Sequence, residues 1–183
     1  MTERREIHAR VLSDVQHRAR WEQRQALWYE MRHTGLRRKS KPWPNAADLH
    51  YPLIDTVIDK LKPFYYQQVV GMDVVATFVP MCAQLNAFTV TAERWFDYKI
   101  KERSNFQQEA LTWIDHGLMS GRSVIKVYWD NDAKRVGFDA IDPMYFIVPP
   151  HTKTLEEADR MVHVMRMSVE AFKASPLYDR EVL

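Results

Sequence analysis

The chain is poor in the residues on which many secreted proteins and nucleotide hydrolases depend. Its 183 residues include one cysteine, Cys82, which cannot form an internal disulfide, and the apolar neighbours of Cys82 predict a buried, inert thiol. Five glycines are present, and none of them belongs to a glycine-rich phosphate loop. The sequence therefore indicates no oxidising compartment and predicts no ATP hydrolysis by the chain itself.

Long apolar runs are absent as well. The most apolar stretch, residues 74–83, is ten residues long and is interrupted by a threonine and a proline, so it is too short to span a bilayer. The N-terminal sequence MTERREIHAR is charged and lacks the apolar centre of a secretory signal. These observations predict a soluble protein with no membrane partner.

Catalytic motifs are also missing. Seven histidines are present, but no His-Glu-x-x-His pattern suits a zinc hydrolase and no Gly-x-Ser-x-Gly turn suits a serine hydrolase. Asp130, Asp132 and Asp139 suggest the metal cluster of a small metal-dependent nuclease, which we keep as an alternative function. Asp130 and Asp132, however, fall in a predicted hairpin turn, where Asp is preferred for backbone reasons. We therefore predict that the chain is not an enzyme and holds no metal or cofactor.

The sequence does contain an uneven distribution of charge. Residues 1–41 hold eleven Lys and Arg against five Asp and Glu, a balance of +6, whereas the remainder holds 15 against 19, a balance of −4. Such asymmetry favours an arm that meets nucleic acid or an acidic protein surface, and an arginine-rich solvated helix explains it equally well. The contact candidates are the basic residues of one connecting segment: Arg37, Arg38, Lys39 and Lys41.

These four side chains are suited to one kind of contact with DNA. Lysine and arginine neutralise phosphates without reading sequence, so binding to double-stranded DNA is expected to be non-specific. Trp43, two residues beyond the segment, is able to stack on a base, but its position between two prolines favours a packing anchor. The same basic segment supports a further alternative, a generic nucleic-acid-binding adaptor.

Apolar periodicity predicts a helical first half. Residues 3–33 read as one long helix with a narrow apolar stripe, formed by Ile7, Val11 and Val15 and continued by Ala19, Ala26, Leu27 and Met31. A thin stripe of this kind favours packing on a neighbouring molecule. Further helices are predicted from Leu53 to a kink or end at Pro63, over residues 81–103, and from a capping box at Ser104 and Gln107 onward.

Strands are predicted in the second half. Alternation over residues 124–129 and 136–141, separated by a polar turn, predicts a β-hairpin. Residues 144–148 and 161–168 are further strand candidates, as is the earlier segment 73–79. Ser168 is expected to cap a last short helix. The fold class is therefore α+β, with a long N-terminal helix, a helical segment and then a β-hairpin or meander.

The order of these features resembles a known family. Gly121 opens the hairpin, Ile141-Asp142-Pro143 breaks the strand, residues 147–150 read Ile-Val-Pro-Pro, and an acidic segment and a strand follow. Upstream, residues 43–66 read WPNAADLHYPLIDTVIDKLKPFYY. This series, from about residue 43 to residue 172, is similar to the N-terminal wing region of tailed-bacteriophage portal proteins, the head-to-tail connectors.

The resemblance implies a structural function. Portal proteins form rings of identical subunits, commonly twelve, at one capsid vertex, and phage DNA is packaged and ejected through the ring. The implied partners are other copies of the chain, capsid or scaffold protein, the terminase, a tail adaptor protein and double-stranded DNA. The implied location is the virion, with assembly in the host cytoplasm, and the terminase would supply the energy.

The resemblance also divides the chain into two parts. Residues 1–42 are expected to form a basic N-terminal helix and arm, and residues 43–183 an α+β wing domain. Portal proteins are normally much longer than this chain, so the wing is expected to continue into a stem and a clip. We expect the domain to complete its burial against neighbouring copies, with the long N-terminal helix engaged by an adjacent subunit.

Overall fold

The computed structural model describes residues 2–33, 43, 51–71 and 75–174. Within these residues four α-helices precede four strands, and a fifth, short α-helix follows them. Three 3₁₀ turns occur at Ala83–Leu85, Pro143–Tyr145 and Leu155–Glu157. The helices and strands, in chain order, are α1 (Thr2–Arg32), α2 (Leu53–Val69), α3 (Asn86–Lys101), α4 (Phe106–Ser120), β1 (Val124–Asp130), β2 (Arg135–Ile141), β3 (Phe146–Ile147), β4 (Val162–His163) and α5 (Val169–Ala174).

The predicted α+β class and the predicted hairpin are confirmed. β1 and β2 pair antiparallel in one register from Val124–Ile141 to Asp130–Arg135. The later apolar segments form a separate two-stranded sheet, in which β3 and β4 pair through only two residues each. The strands therefore make two small sheets and no continuous meander, because the proline-led turn at Pro143–Tyr145 turns the chain away from the hairpin.

Helix α4 covers the outer edge of β2. The Asn105 side chain donates from Nδ2 to the Phe138 carbonyl at 2.6 Å and accepts from the Phe138 N–H at 2.9 Å. Glu109 accepts from the Ala140 N–H at 2.8 Å. The rings of Phe106 and Phe138 lie 4.9 Å apart between centroids. Side chains of one helix thus replace the strand that would otherwise have to pair with β2.

The core is small and lies where α2, α3 and α4 meet β2. Nine apolar side chains of the described residues are buried, and Ala110 at the centre of α4 is fully enclosed. They are Ile58, Val70, Ile100, Ala110, Ile114, Met119, Phe138, Ile141 and Ile147. Helix α4 contributes three of these nine and packs on both α2 and the hairpin, so it is the central element of the fold.

Polar contacts attach α1 to the rest of its own chain. Asp14, which is 4% exposed, forms a bidentate ion pair with Arg160 at 2.7 and 2.8 Å. Arg18 donates to three backbone carbonyls between residues 143 and 146. Arg32 binds Asp55 of α2 at 2.8 Å and both oxygens of Asp115 on α4. Helix α1 is therefore held along most of its length.

These contacts define the inward face of α1. Ile7, Ala19, Ala26 and Leu27 of the predicted stripe are exposed in the single chain, so the packing of the stripe on a neighbouring molecule stays a prediction. The inward face carries Asp14, Arg18, Gln25 and Arg32. These four positions are four or seven residues apart, so they share one helical face. Three of the four have polar partners: Asp14 accepts from Arg160, Arg18 donates to backbone carbonyls and Arg32 donates to carboxylates. Contacts within one chain use only this face of α1, so the expected engagement of α1 by an adjacent subunit stays a prediction.

Other predictions on local structure also change. Of the end or kink predicted at Pro63, the end is wrong, because Pro63 lies inside α2. Residues 72–74 lie outside the described ones, and residues 75–80 form no strand, because the N–H groups of Val75 and Phe78 donate to Asp97 and Glu93 of α3. The cap of Ser168 is confirmed by its 3.1 Å contact with the Ala171 N–H. Cys82 is exposed, so the predicted burial of its thiol is wrong.

The Arg32 cluster generates a prediction on pH dependence. Burial on its own would raise the pKa of Asp115, but the hydrogen bonds and charges of Arg32 and Lys62 outweigh it and lower the pKa from 3.8 to about 2. A carboxyl whose folded pKa lies below its unfolded value stabilises the fold above the unfolded pKa, and this contribution is lost as the pH falls towards the folded pKa.

We therefore expect the free energy of unfolding to fall between pH 4 and pH 2 more steeply in the parent chain than in Asp115→Asn, because only the parent titrates at this position. Urea unfolding at several pH values measures both slopes. Asp59→Asn, a change in an exposed carboxylate of α2, is the matched control and should keep the parent slope. An unchanged slope in Asp115→Asn would contradict the account.

Candidate interaction surface

The basic residues that the sequence selects cannot be placed in this structure. Arg37, Arg38, Lys39 and Lys41 all lie outside the described residues. Trp43 is described and is 64% exposed, so its predicted role as a packing anchor is not supported by contacts with the described part of its own chain.

The carboxylates of the alternative nuclease are not brought together. Asp130 accepts the N–H groups of Asp132 and Ala133, each at 3.0 Å, and these bonds lower its pKa. Asp139 lies four residues along β2 from Arg135, the partner of Asp130, which corresponds to about 14 Å. Among the described residues no three His, Cys, Asp or Glu side chains are grouped to hold a metal. The predicted turn function of Asp130 is confirmed.

Exposed apolar side chains are the most conspicuous feature of the described surface. Thirty large apolar or aromatic side chains are between 37% and 97% exposed, against eight buried ones. Single exposed apolar residues are ordinary, but contiguous ones mark interaction sites. They concentrate on α2, around α3 and on β1. Those of the α3 region and β1 with the highest exposure are Val79, Met81, Phe88, Trp95, Val127 and Trp129.

A cleft of about 580 Å³ separates the C-terminal half of α3 from the hairpin turn. Trp95 on α3 and Trp129 on β1 line it, and they are 61% and 56% exposed. An apolar hollow of about 460 Å³ lined by Phe78 and Phe88 adjoins it and shares Trp95 with it. The two cavities form one continuous aromatic surface, which we call the α3 cleft.

Positive charge borders the α3 cleft. Four exposed cations line it, two from α3 and its C-terminal turn and two from the hairpin turn, against a single carboxylate, Glu102. The cations are Lys99, Arg103, Lys134 and Arg135. Lys99 lies 5.6 Å above the Trp95 ring, and Arg103 stacks on Tyr98 while donating to its hydroxyl at 2.9 Å. Two of the four cations are thus held against aromatic rings, and the cleft suits a ligand that is both apolar and anionic.

The strand next to the cleft has an open edge. Because the backbone groups of Phe138 point to Asn105, Val127 opposite Phe138 directs its own N–H and C=O away from β2. The same holds for Ile125 opposite Ala140. No described residue bonds these outward groups of β1. An open edge of this kind is able to accept a further strand.

Sequence reasoning missed the α3 cleft for a physical reason. Its four cations come from two places: Lys99 and Arg103 at the C-terminal end of α3 and just beyond it, and Lys134 and Arg135 where the hairpin turn meets β2. Neither place is a basic run, and the residues after position 41 carry a net negative charge. The only local signal in the sequence was that two tryptophans, Trp95 and Trp129, each lie near a basic residue.

Comparison with known proteins adds no family. Neither a scan against protein-family models nor a search of curated proteins found a match to this chain. Within the described residues no helix has the length and apolar character needed to cross a membrane.

The exposure of β1 generates a prediction with a matched pair of variants. Ile125 and Val127 lie on the same face of β1, but Ile125 is half-buried whereas Val127 is 60% exposed. We expect Ile125→Asp to lower the free energy of unfolding by about 2 kcal/mol and Val127→Asp by less than about 1 kcal/mol, because both lose strand propensity but only Ile125 places a charge in an apolar environment.

Urea unfolding of the isolated chain at low concentration measures both values. Equal losses would show that its own chain covers Val127 and would remove β1 from the proposed interaction surface.

Proposed function

We propose that this chain is a structural subunit of a tailed-phage portal, corresponding to the wing region, and that it assembles with identical copies into a ring. The single observation that carries the proposal is the ratio of thirty exposed to eight buried large apolar side chains among the described residues. A chain with a small core and extended apolar surface gains stability by burying that surface against other chains.

The sequence resemblance supplies the identity of the assembly. The hairpin with its Asp-Pro break and the following Pro-Pro strand end correspond to elements of the structure: β1, β2, Pro143–Tyr145 and β3. Agreement on these elements supports the portal proposal at the level of local structure. In this proposal capsid or scaffold protein, the terminase, a tail adaptor and non-specifically bound double-stranded DNA are the further partners.

A ring requires that each copy uses two different surfaces, because head-to-tail contacts repeat until the rotation closes. The open edge of β1 and the α3 cleft lie on one side of the hairpin. A second surface is formed by α1 and residues 143–160, which Asp14, Arg18 and Arg160 hold together. The chain thus offers two chemically distinct surfaces, as a ring of identical subunits demands. Obligate interfaces of this kind bury about 2,000 Å² or more.

We expect the purified chain to form a closed particle of defined stoichiometry, commonly twelve copies, whose population grows with protein concentration. Sedimentation velocity combined with native mass spectrometry measures the mass, and negative-stain electron microscopy shows whether the particle is a ring. A monomer or a single dimer at every concentration up to the solubility limit would contradict the proposal.

A further inference from the structure

The α3 cleft requires a ligand that combines apolar groups with negative charge. Its walls are Trp95 and Trp129, both more than half exposed, and its border carries Lys99, Arg103 and Lys134 with a single opposing carboxylate among the lining residues. A purely apolar partner would leave the cations desolvated, and a purely anionic one would leave the tryptophans in water.

The same chain carries a segment of that composition. Residues 155–159 place the exposed Leu155, 54% exposed, beside the exposed carboxylates of Glu156, Glu157 and Asp159. None of these three carboxylates forms an ion pair with a described residue. We call residues 155–159 the acidic segment.

The acidic segment is held in shape on its own chain. The 3₁₀ turn Leu155–Glu157 is closed by the bond from the Glu157 N–H to the Thr154 carbonyl at 3.2 Å. Directly after the segment, Arg160 is anchored to the nearly buried Asp14 of α1. Little conformational entropy is therefore lost when such a segment binds, and preorganisation of this kind raises affinity.

The cleft and the acidic segment belong to different surfaces of one molecule. The residues that line the α3 cleft include none from the cavity that Leu155 lines, which is formed by α1 and residues 146–155. Two complementary but separate surfaces on one chain are the arrangement that produces head-to-tail contact between copies.

We propose that the α3 cleft of one copy binds the acidic segment of a second copy, with Leu155 against the tryptophans and the carboxylates against the cations. The proposal rests on the proposed ring, since it names the two surfaces that meet. Duplex nucleic acid fits the cleft less well, because its bases are stacked inside the double helix and cannot reach Trp95 and Trp129.

Charge reversal on each surface tests the contact directly. Lys99→Glu with Lys134→Glu reverses one cation on each wall of the cleft, and Glu156→Lys with Glu157→Lys reverses the segment. All four side chains are exposed, so the fold should tolerate the changes, which circular dichroism and urea unfolding verify. We expect each double variant alone to self-associate at least about tenfold more weakly than the parent, measured by sedimentation velocity.

Restored association in a mixture of the variants would show that the two reversed surfaces contact each other. An equimolar mixture of the two double variants should assemble again, because each reversed surface then meets a reversed partner, and the quadruple variant should assemble by itself. The matched control is Glu6→Lys with Arg10→Glu, which reverses two exposed charges at the start of α1 and should leave association unchanged.

Three outcomes would overturn the proposal. Unchanged association of the double variants, or no restoration on mixing, removes the cleft from the contact while leaving the ring intact if the parent chain forms one. Binding of a single-stranded oligonucleotide that the cleft variant loses, with association unchanged, assigns the cleft to nucleic acid. A parent chain that remains monomeric at every concentration contradicts the proposed function and this contact together.

Discussion

A shortage of buried apolar surface constrains the rest of this structure. Each large aliphatic or aromatic side chain that is fully buried contributes about 1.5–3 kcal/mol, and among the described residues eight are buried, against the conformational entropy of a long chain. Polar contacts therefore set how the helices are oriented on the hairpin and on each other. Asn105 binds the edge of β2, Arg18 donates to backbone carbonyls and Arg32 donates to two carboxylates. Such contacts fix geometry but add little net stability each, about 0.5–1.5 kcal/mol. Burial of the remaining apolar side chains therefore requires contact with another chain.

The same constraint connects the fold to the proposed function. Helix α4 uses one side for the core, and its N-cap residue Asn105 and its Glu109 bind the edge of β2, so β1 is left as the open edge of the hairpin. Helix α3 in turn directs Trp95 and Lys99 outward beside that edge. The apolar surface that the core does not use is thus gathered near the hairpin turn and bordered by positive charge. Assembly with identical copies would bury it without any catalytic group.

Local patterns explain how much the sequence could predict. The hairpin and its turn follow from alternation and from Asp130, whose carboxylate binds the turn backbone within three residues, and the long α1 follows from helix-forming composition. The inward face of α1 could not be predicted, because Asp14 and Arg160 are 146 residues apart. Cys82 and the α3 cleft were missed for the same reason. Their environment depends on which elements meet, and periodicity within one element does not encode that.

A cryo-electron microscopy reconstruction of the assembled chain tests the central claim most directly. The account predicts a ring about one rotation axis, in which Trp95, Trp129 and the outer edge of β1 are buried by the neighbouring copy, with residues 155–159 of that copy in the α3 cleft. A ring that leaves this surface in solvent would contradict the assigned contact. Particles without rotational symmetry, or single copies with the surface exposed, would contradict the portal proposal itself.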